Sequence, residues 1–119
     1  MKDVTSAKLL RIHIGEMDRA RHQPLFEILV SEARVSGLSG ATVLRGIESF
    51  GASSVVHRSR LVELSEDLPI VVEIVDTEDK IRAFLERIDP ILDDAGCGVL
   101  ITMEKVEILR WAPKKKASS

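Results

Sequence analysis

Aromatic residues are nearly missing from this chain: three phenylalanines, one tryptophan and no tyrosine in 119 residues. A platform that stacks single-stranded bases needs several aromatic faces, so that class of function is disfavoured. The core must instead be built from Leu, Ile and Val. Cysteine is down to one, Cys97, so no internal disulfide can form and the chain fits a reducing compartment. The three histidines, His13, His22 and His57, are scattered, and there is no CxxC, HExxH or HxH spacing to hold a metal. A Walker loop and a GxGxxG opening a helix are missing too, and one cysteine with distant histidines makes no nucleophilic site. No apolar run approaches the roughly eighteen residues that span a bilayer. The opening residues, Met1 to Thr5, lack a signal-peptide core, which predicts a cytoplasmic protein that is not membrane-embedded. Excess charge is also lacking: 17 Lys and Arg against 19 Asp and Glu leave a formal −2. A general nucleic-acid binder would be strongly basic. No catalytic constellation remains, and the chain reads as a non-enzyme.

What is present is an ordinary globular composition, 45% hydrophobic and 30% charged, in a length that suits one domain over residues 1–119. Lys8 to Gly15 alternates, with Leu10, Ile12 and Ile14 on one face and Arg11 and His13 on the other, the mark of a half-buried strand. Gly15 to Gln23 reads as a charged connector. Pro24 then stands as a first-turn proline, where its missing N–H costs nothing. Leu25, Phe26, Ile28, Leu29 and Ala33 follow at helical spacing, and the helix should stop near Ser36 and Gly37.

Gly37 to Gly51 holds four of the seven glycines around a run of β-formers. Glycine inside or just past such a run marks a bulge, a bend or a close backbone approach, which applies to Gly46 and Gly51. Ala52 to Ser59 reads as a polar loop, Leu61 to Leu64 as a short strand arm, and Pro69 to Val75 as a nearly continuous apolar central strand. Gly40–Phe50 and Arg60–Val75 are expected to pair antiparallel with the loop at their tip. Asp76 or Thr77 should cap a second helix whose buried stripe is Ile81, Phe84, Leu85 and Ile88. Pro90 should kink or end it, Asp93 to Gly98 should form a loop, and Val99, Ile101 and Met103 a last strand extended by Val106 and Ile108. The lysine-rich tail, residues 112–119, reads as solvated.

Strand, helix, strand, strand, helix, strand is the order of an α+β ferredoxin-like βαββαβ sandwich, a four-stranded antiparallel sheet with two helices on one face. Val71 and Val75 point away from Ile70, Val72 and Ile74, so the helix-free face carries apolar residues as well. Such a face calls for burial against another subunit.

Several stretches together carry a family resemblance: Lys8-Leu-Leu-Arg-Ile-His-Ile-Gly-Glu, Pro24-Leu, Gly40-Ala-Thr-Val-Leu-Arg-Gly-Ile-Glu-Ser-Phe-Gly, Ser65-Glu-Asp-Leu-Pro-Ile-Val-Val-Glu-Ile-Val-Asp and Val99-Leu-Ile-Thr-Met-Glu-Lys-Val-Glu-Ile-Leu. From about Ala7 to Trp111 the chain resembles the PII-like group known as domain of unknown function 190. The resemblance implies a homotrimer with its sheets facing inward. It also implies a small effector, an adenine nucleotide, in the cleft between subunits, and a regulated partner such as a transporter or an enzyme. The site residues it implies are Arg45, Gly46, Phe50, Gly51, Arg58 and Arg60 on one side and Gly96 and Gly98 on the other. Glycine amides and arginines are suited to an anion. The 52–60 loop is shorter than a signalling T-loop, and Ala95-Gly-Cys-Gly carries no lysine or arginine for a phosphate. Two alternatives stand beside this reading: a metal-handling trimer of the divalent-cation tolerance type, and a structural trimer without a ligand.

Overall fold

The structure is a computed structural model, and it describes residues 7–50, 56–58 and 67–114. Strand β1 (Ala7–Gly15) is followed by two short strands, β2 (Arg19–Ala20) and β3 (Gln23–Pro24), and by helix α1 (Leu25–Val35). Then come β4 (Thr42–Arg45), β5 (Glu48–Phe50), β6 (Val56–Arg58), β7 (Pro69–Thr77), helix α2 (Glu78–Ala95) and β8 (Leu100–Lys105). The main sheet has the order β4-β7-β1-β8 with every neighbouring pair antiparallel. Each helix thus connects two parallel strands with one strand between them, the split βαβ arrangement of the ferredoxin-like fold expected from the sequence.

Burial follows the period of two. Leu10, Ile12 and Ile14 of β1 and Ile70, Val72 and Ile74 of β7 are buried against Leu25, Ile28, Leu29 and Ala33 of α1 and Ile81, Phe84, Ile88 and Ile91 of α2. Gly37 ends α1 as read: with φ of 75° it takes the left-handed turn, while Leu38 N–H donates to Ala33 O at 3.2 Å.

Several expectations need correcting. The connector 15–23 holds a two-strand hairpin whose turn residues, Arg21 and His22, have φ of 51° and 65°. Neither is the Gly or Asn that signals such a turn, so the sequence hid it. Pro24 precedes α1 rather than opening it. The glycine-rich strand stops at Arg45; residues 48–50 pair instead with 56–58 as a separate ribbon, so Val56–Arg58 is strand where a loop was expected. Pro90 does not end α2, which runs on to Ala95 because Ile91 continues the buried stripe, so Asp93 and Asp94 are helical. Strand β8 starts at Leu100 and ends at Lys105, leaving Val106 and Ile108 outside it. Thr77 is the cap residue of α2 without a side-chain cap bond. Asp76 faces the core, fully buried, and accepts hydrogen bonds from Ser39 N–H (2.8 Å) and Thr77 N–H (2.7 Å). The arm 61–64 and residues 115–119 lie outside the described residues.

The helix-free face is less apolar than the run Pro69–Val75 suggests. Register places Leu44, Val71, His13 and Leu100 in one row across it, and Thr42, Glu73, Arg11 and Thr102 in the next. Arg11 donates to Glu73 (2.9 Å) and to Glu104 (2.6 Å). Hydrogen bonding to Glu73, then to Glu104, holds the guanidinium pKa above its ordinary value. Leu44 and Leu100, at the two edges, remain 48% and 59% exposed, so the described residues leave about half of each uncovered.

Candidate functional site

One end of the sheet gathers the elements on which the site was expected. Arg45 pairs with Ile70, Gly15 with Pro69 and His13 with Leu100, so the end of β4, the turn after β1, the entry to β7 and the loop before β8 lie side by side. Arg45 and Gly46 are at the β4 edge, and Gly96 and Gly98 lead into β8 at the opposite edge. Strands β7 and β1 run between them. The two groups of expected residues therefore stand at opposite edges of the sheet within one chain. Phe50 and Arg58 enter through the β5–β6 ribbon, opposite Val56 and Glu48 respectively. Gly51 and Arg60 lie outside the described residues.

Local bonding shows what each half can offer. Gly46 N–H donates to Pro69 O at 2.7 Å, and a Cβ on Gly46 would lie 2.7 Å from Pro69 Cγ. The close approach read from the sequence is thus to the neighbouring strand. Gly96 takes the left-handed position ending α2, φ 62°, with its N–H on Leu92 O at 3.2 Å. Gly98 borders open space. Arg45, its side chain 61% exposed, is ion-paired with Glu16.

Glu16 sits in a tightly held turn. Its N–H donates to Leu68 O at 2.8 Å, Gly15 N–H to Asp18 Oδ2 at 2.6 Å, and Met17 N–H to Asp67 Oδ1 at 2.8 Å. A Cβ on Gly15 would lie 2.7 Å from an Asp67 carboxylate oxygen, so a larger residue there would have to push the Asp67 side chain aside. Cys97 packs against the core beside these carboxylates. Burial first, then the charge of and hydrogen bond to Asp18, push its thiol up to about 11. At neutral pH that leaves a quiet thiol rather than a redox-sensitive one.

At the far edge, Arg21 N–H donates to Asp94 Oδ2 at 3.2 Å, and Arg19 donates to His22 O at 2.6 Å. The last turn of α2 has no basic residue of its own, and its negative dipole end with Asp94 favours cations nearby. The β2–β3 hairpin meets this end of α2 through the Arg21 backbone N–H. Linear spacing carried no signal for this, nor for Glu16. A pocket of about 160 Å³ lined by Arg21, Gln23, Ile28, Ser31 and Glu32 is smaller than the roughly 300 Å³ at which ligand clefts begin. Among the described residues no three His, Cys, Asp or Glu side chains gather where they could hold a metal ion, and no helix is long and apolar enough to cross a membrane.

Residues 7–108 match the family model DUF190, described as "Uncharacterized ACR". The chain belongs to the DUF190 family. A UPF0166 protein of Aquifex aeolicus is 39% identical over 106 residues, covering 89% of this chain and 96% of the relative. A UPF0166 protein of Methanocaldococcus jannaschii is 30% identical over 96 residues, 81% of this chain and 87% of the relative. Among solved structures, this chain is similar to CPII, a nitrogen regulatory PII-like protein from Thiomonas intermedia K12 bound to ADP, AMP and bicarbonate. The TM-score is 0.66 at 15% identity, over 87% of this chain and 89% of that one. The PII-like fold of this DUF190 chain thus agrees with the split βαβ topology above.

Proposed function

We propose that this DUF190 chain is a non-enzymatic, PII-like regulatory protein that works as a homotrimer. The observation that supports the reading is that the two groups of expected residues stand at opposite edges of the sheet. Arg45 and Gly46 on one edge and Gly96 to Gly98 on the other can enclose a ligand only when the β4 edge of one subunit meets the β8 edge of the next. Head-to-tail contacts of that kind close into a ring where the rotation between neighbours closes, after three subunits in this reading. The same ring would cover the face that carries Leu44, Val71, Val75, Leu9 and Leu100.

The effector is an adenine nucleotide, by analogy with the ligands named for the CPII structure. Arg45, Phe50, Gly51, Arg58 and Arg60 approach it from one subunit, Gly96 and Gly98 from the next. Its binding changes how the 52–60 segment meets a partner protein, a transporter or an enzyme. The test combines light scattering for the oligomer with calorimetric titration of ADP, AMP and ATP, each with and without Mg²⁺ and bicarbonate. A trimer that binds a nucleotide and loses it on Arg58→Ala with Arg60→Ala is expected. A trimer that gives no heat with any of them would sink the effector assignment, and a monomer at micromolar concentration would sink the cleft itself.

A further inference from the structure

We infer that Glu16 is the built-in counter-ion of Arg45, so that an anionic group reaches that guanidinium only by displacing a carboxylate of the same chain. The inference rests on the cleft reading for its consequence, but its geometry stands apart from it. Arg45 is the one arginine among the expected site residues whose side chain the structure describes, and its partner is Glu16. The partner is not a stray surface carboxylate. Glu16 is 22% exposed against 61% for Arg45, so the acid is the anchored half of the pair and the base the free half.

The anchoring has three parts. Glu16 N–H is fixed on Leu68 O at the entry to β7. The residues on either side are fixed by the Gly15 bond to Asp18 and the Met17 bond to Asp67. β4 meanwhile places Arg45 opposite Ile70, one residue along β7 from Pro69, which faces Gly15. Turn and strand end are thus held to the same stretch of β7, and the ion pair forms across it. A preorganised counter-ion of this kind keeps Arg45 neutralised at the edge where a neighbour would approach. It discriminates against weakly charged anions, because the incoming group must interact with the guanidinium more strongly than Glu16 does. Phosphates, with several oxygens and more than one negative charge, meet that condition better than a single carboxylate.

The test reads Arg45 directly. Phenylglyoxal modifies accessible guanidinium groups, and peptide mass spectrometry resolves Arg45 from the other arginines. In Glu16→Gln, Arg45 should react about two- to fivefold faster than in the parent chain, the range set by an exposed ion pair. Glu16→Asp, which keeps the charge on an arm one methylene shorter, should fall between Glu16→Gln and the parent chain, and Glu32→Gln, which frees Arg87 on the helix layer, should leave Arg45 unchanged. Titration with ADP should show tighter binding in Glu16→Gln by a similar factor, an advantage that fades in high salt and is lost in an Arg45→Ala background. An unchanged Arg45 rate in both Glu16 variants, or weaker ADP binding in Glu16→Gln, overturns the inference. A faster Arg45 rate with no ADP heat in any variant supports the counter-ion and counts against the nucleotide effector alone.

Discussion

The two faces of the central sheet obey different rules although they share the same strands. On the helix side, Ile70, Val72 and Ile74 of β7 meet Leu10, Ile12 and Ile14 of β1, and among the described residues the one charged group buried there is Asp76 at the strand's end. On the other side the intervening residues, Val71, Glu73 and Val75, put a charge between two valines, and Arg11 crosses from β1 to meet it. The first face is a finished core. The second is a surface on which apolar residues flank one ion-paired cluster, Arg11 with Glu73 and Glu104. A wholly apolar face would slide, whereas Arg11 with Glu73 and Glu104 must keep its partners when water is removed.

The largest effect that separates the faces is expected at Phe84 of α2, 1% exposed in the core between helix layer and sheet. Phe84→Ala should cost about 3–5 kcal/mol in denaturant unfolding, since the transfer of the ring and the cavity left behind add. A loss below about 1 kcal/mol would mean the helix layer is not the packed side. Next comes the reactivity of Cys97 at the sheet end. With the thiol pushed up to about 11, its thiolate fraction at pH 7.5 is roughly two orders of magnitude below that of an ordinary thiol. Iodoacetamide should therefore alkylate it about a hundredfold more slowly than glutathione, the rate climbing until the pH passes 11. Equal rates at pH 7.5 would show that neither burial nor Asp18 acts on the sulfur.

How much of this was legible in the residues follows from the same contrast. Alternation in Lys8–Gly15 and the stripes Leu25 to Ala33 and Ile81 to Ile88 carry the layer order, because burial on one face leaves a period in the sequence. The open face leaves a poorer trace. Glu73 reads as a lone charge in an apolar run until β1 brings Arg11 beside it, 62 residues away in sequence. Asp76 looks like a helix cap for the same reason. Its spacing suits either role, and only the alternation of β7, carried one residue further, turns it inward to Ser39. The site was harder still. Arg45 and Gly46 were marked by resemblance, but Glu16 is a turn carboxylate of no distinctive spacing, and the Arg21–His22 turn lacks the glycine that announces such turns. Contacts between distant segments write nothing into local pattern.

The open face itself can be probed at two depths. Val71→Glu adds a charge to the apolar row without touching the helix side. Unfolding of the chain at concentrations too low for association should shift by less than about 1 kcal/mol, the usual range for a substitution outside the core. The association measured by light scattering should be lost outright. If assembly survives Val71→Glu, another surface holds the subunits together and the two groups of expected residues must be completed differently.

The smallest effect is expected from Arg11→Met, and it sharpens the argument most. In an isolated chain the change removes two half-exposed ion pairs and leaves Glu73 and Glu104 as like charges near each other. The melting midpoint should fall by roughly a degree or two at low salt and recover as salt screens the carboxylates. In an assembly that buries the row, the same two carboxylates would lose water as well as their partner. Subunit association should then weaken far more than the melting of the chain. Equal and small effects on both measurements would mean that the ion-paired cluster stays wet, so that the covered part of this face lies toward the row of Leu44 and Val71, away from Glu104, which shares the row of Leu9 and Val75.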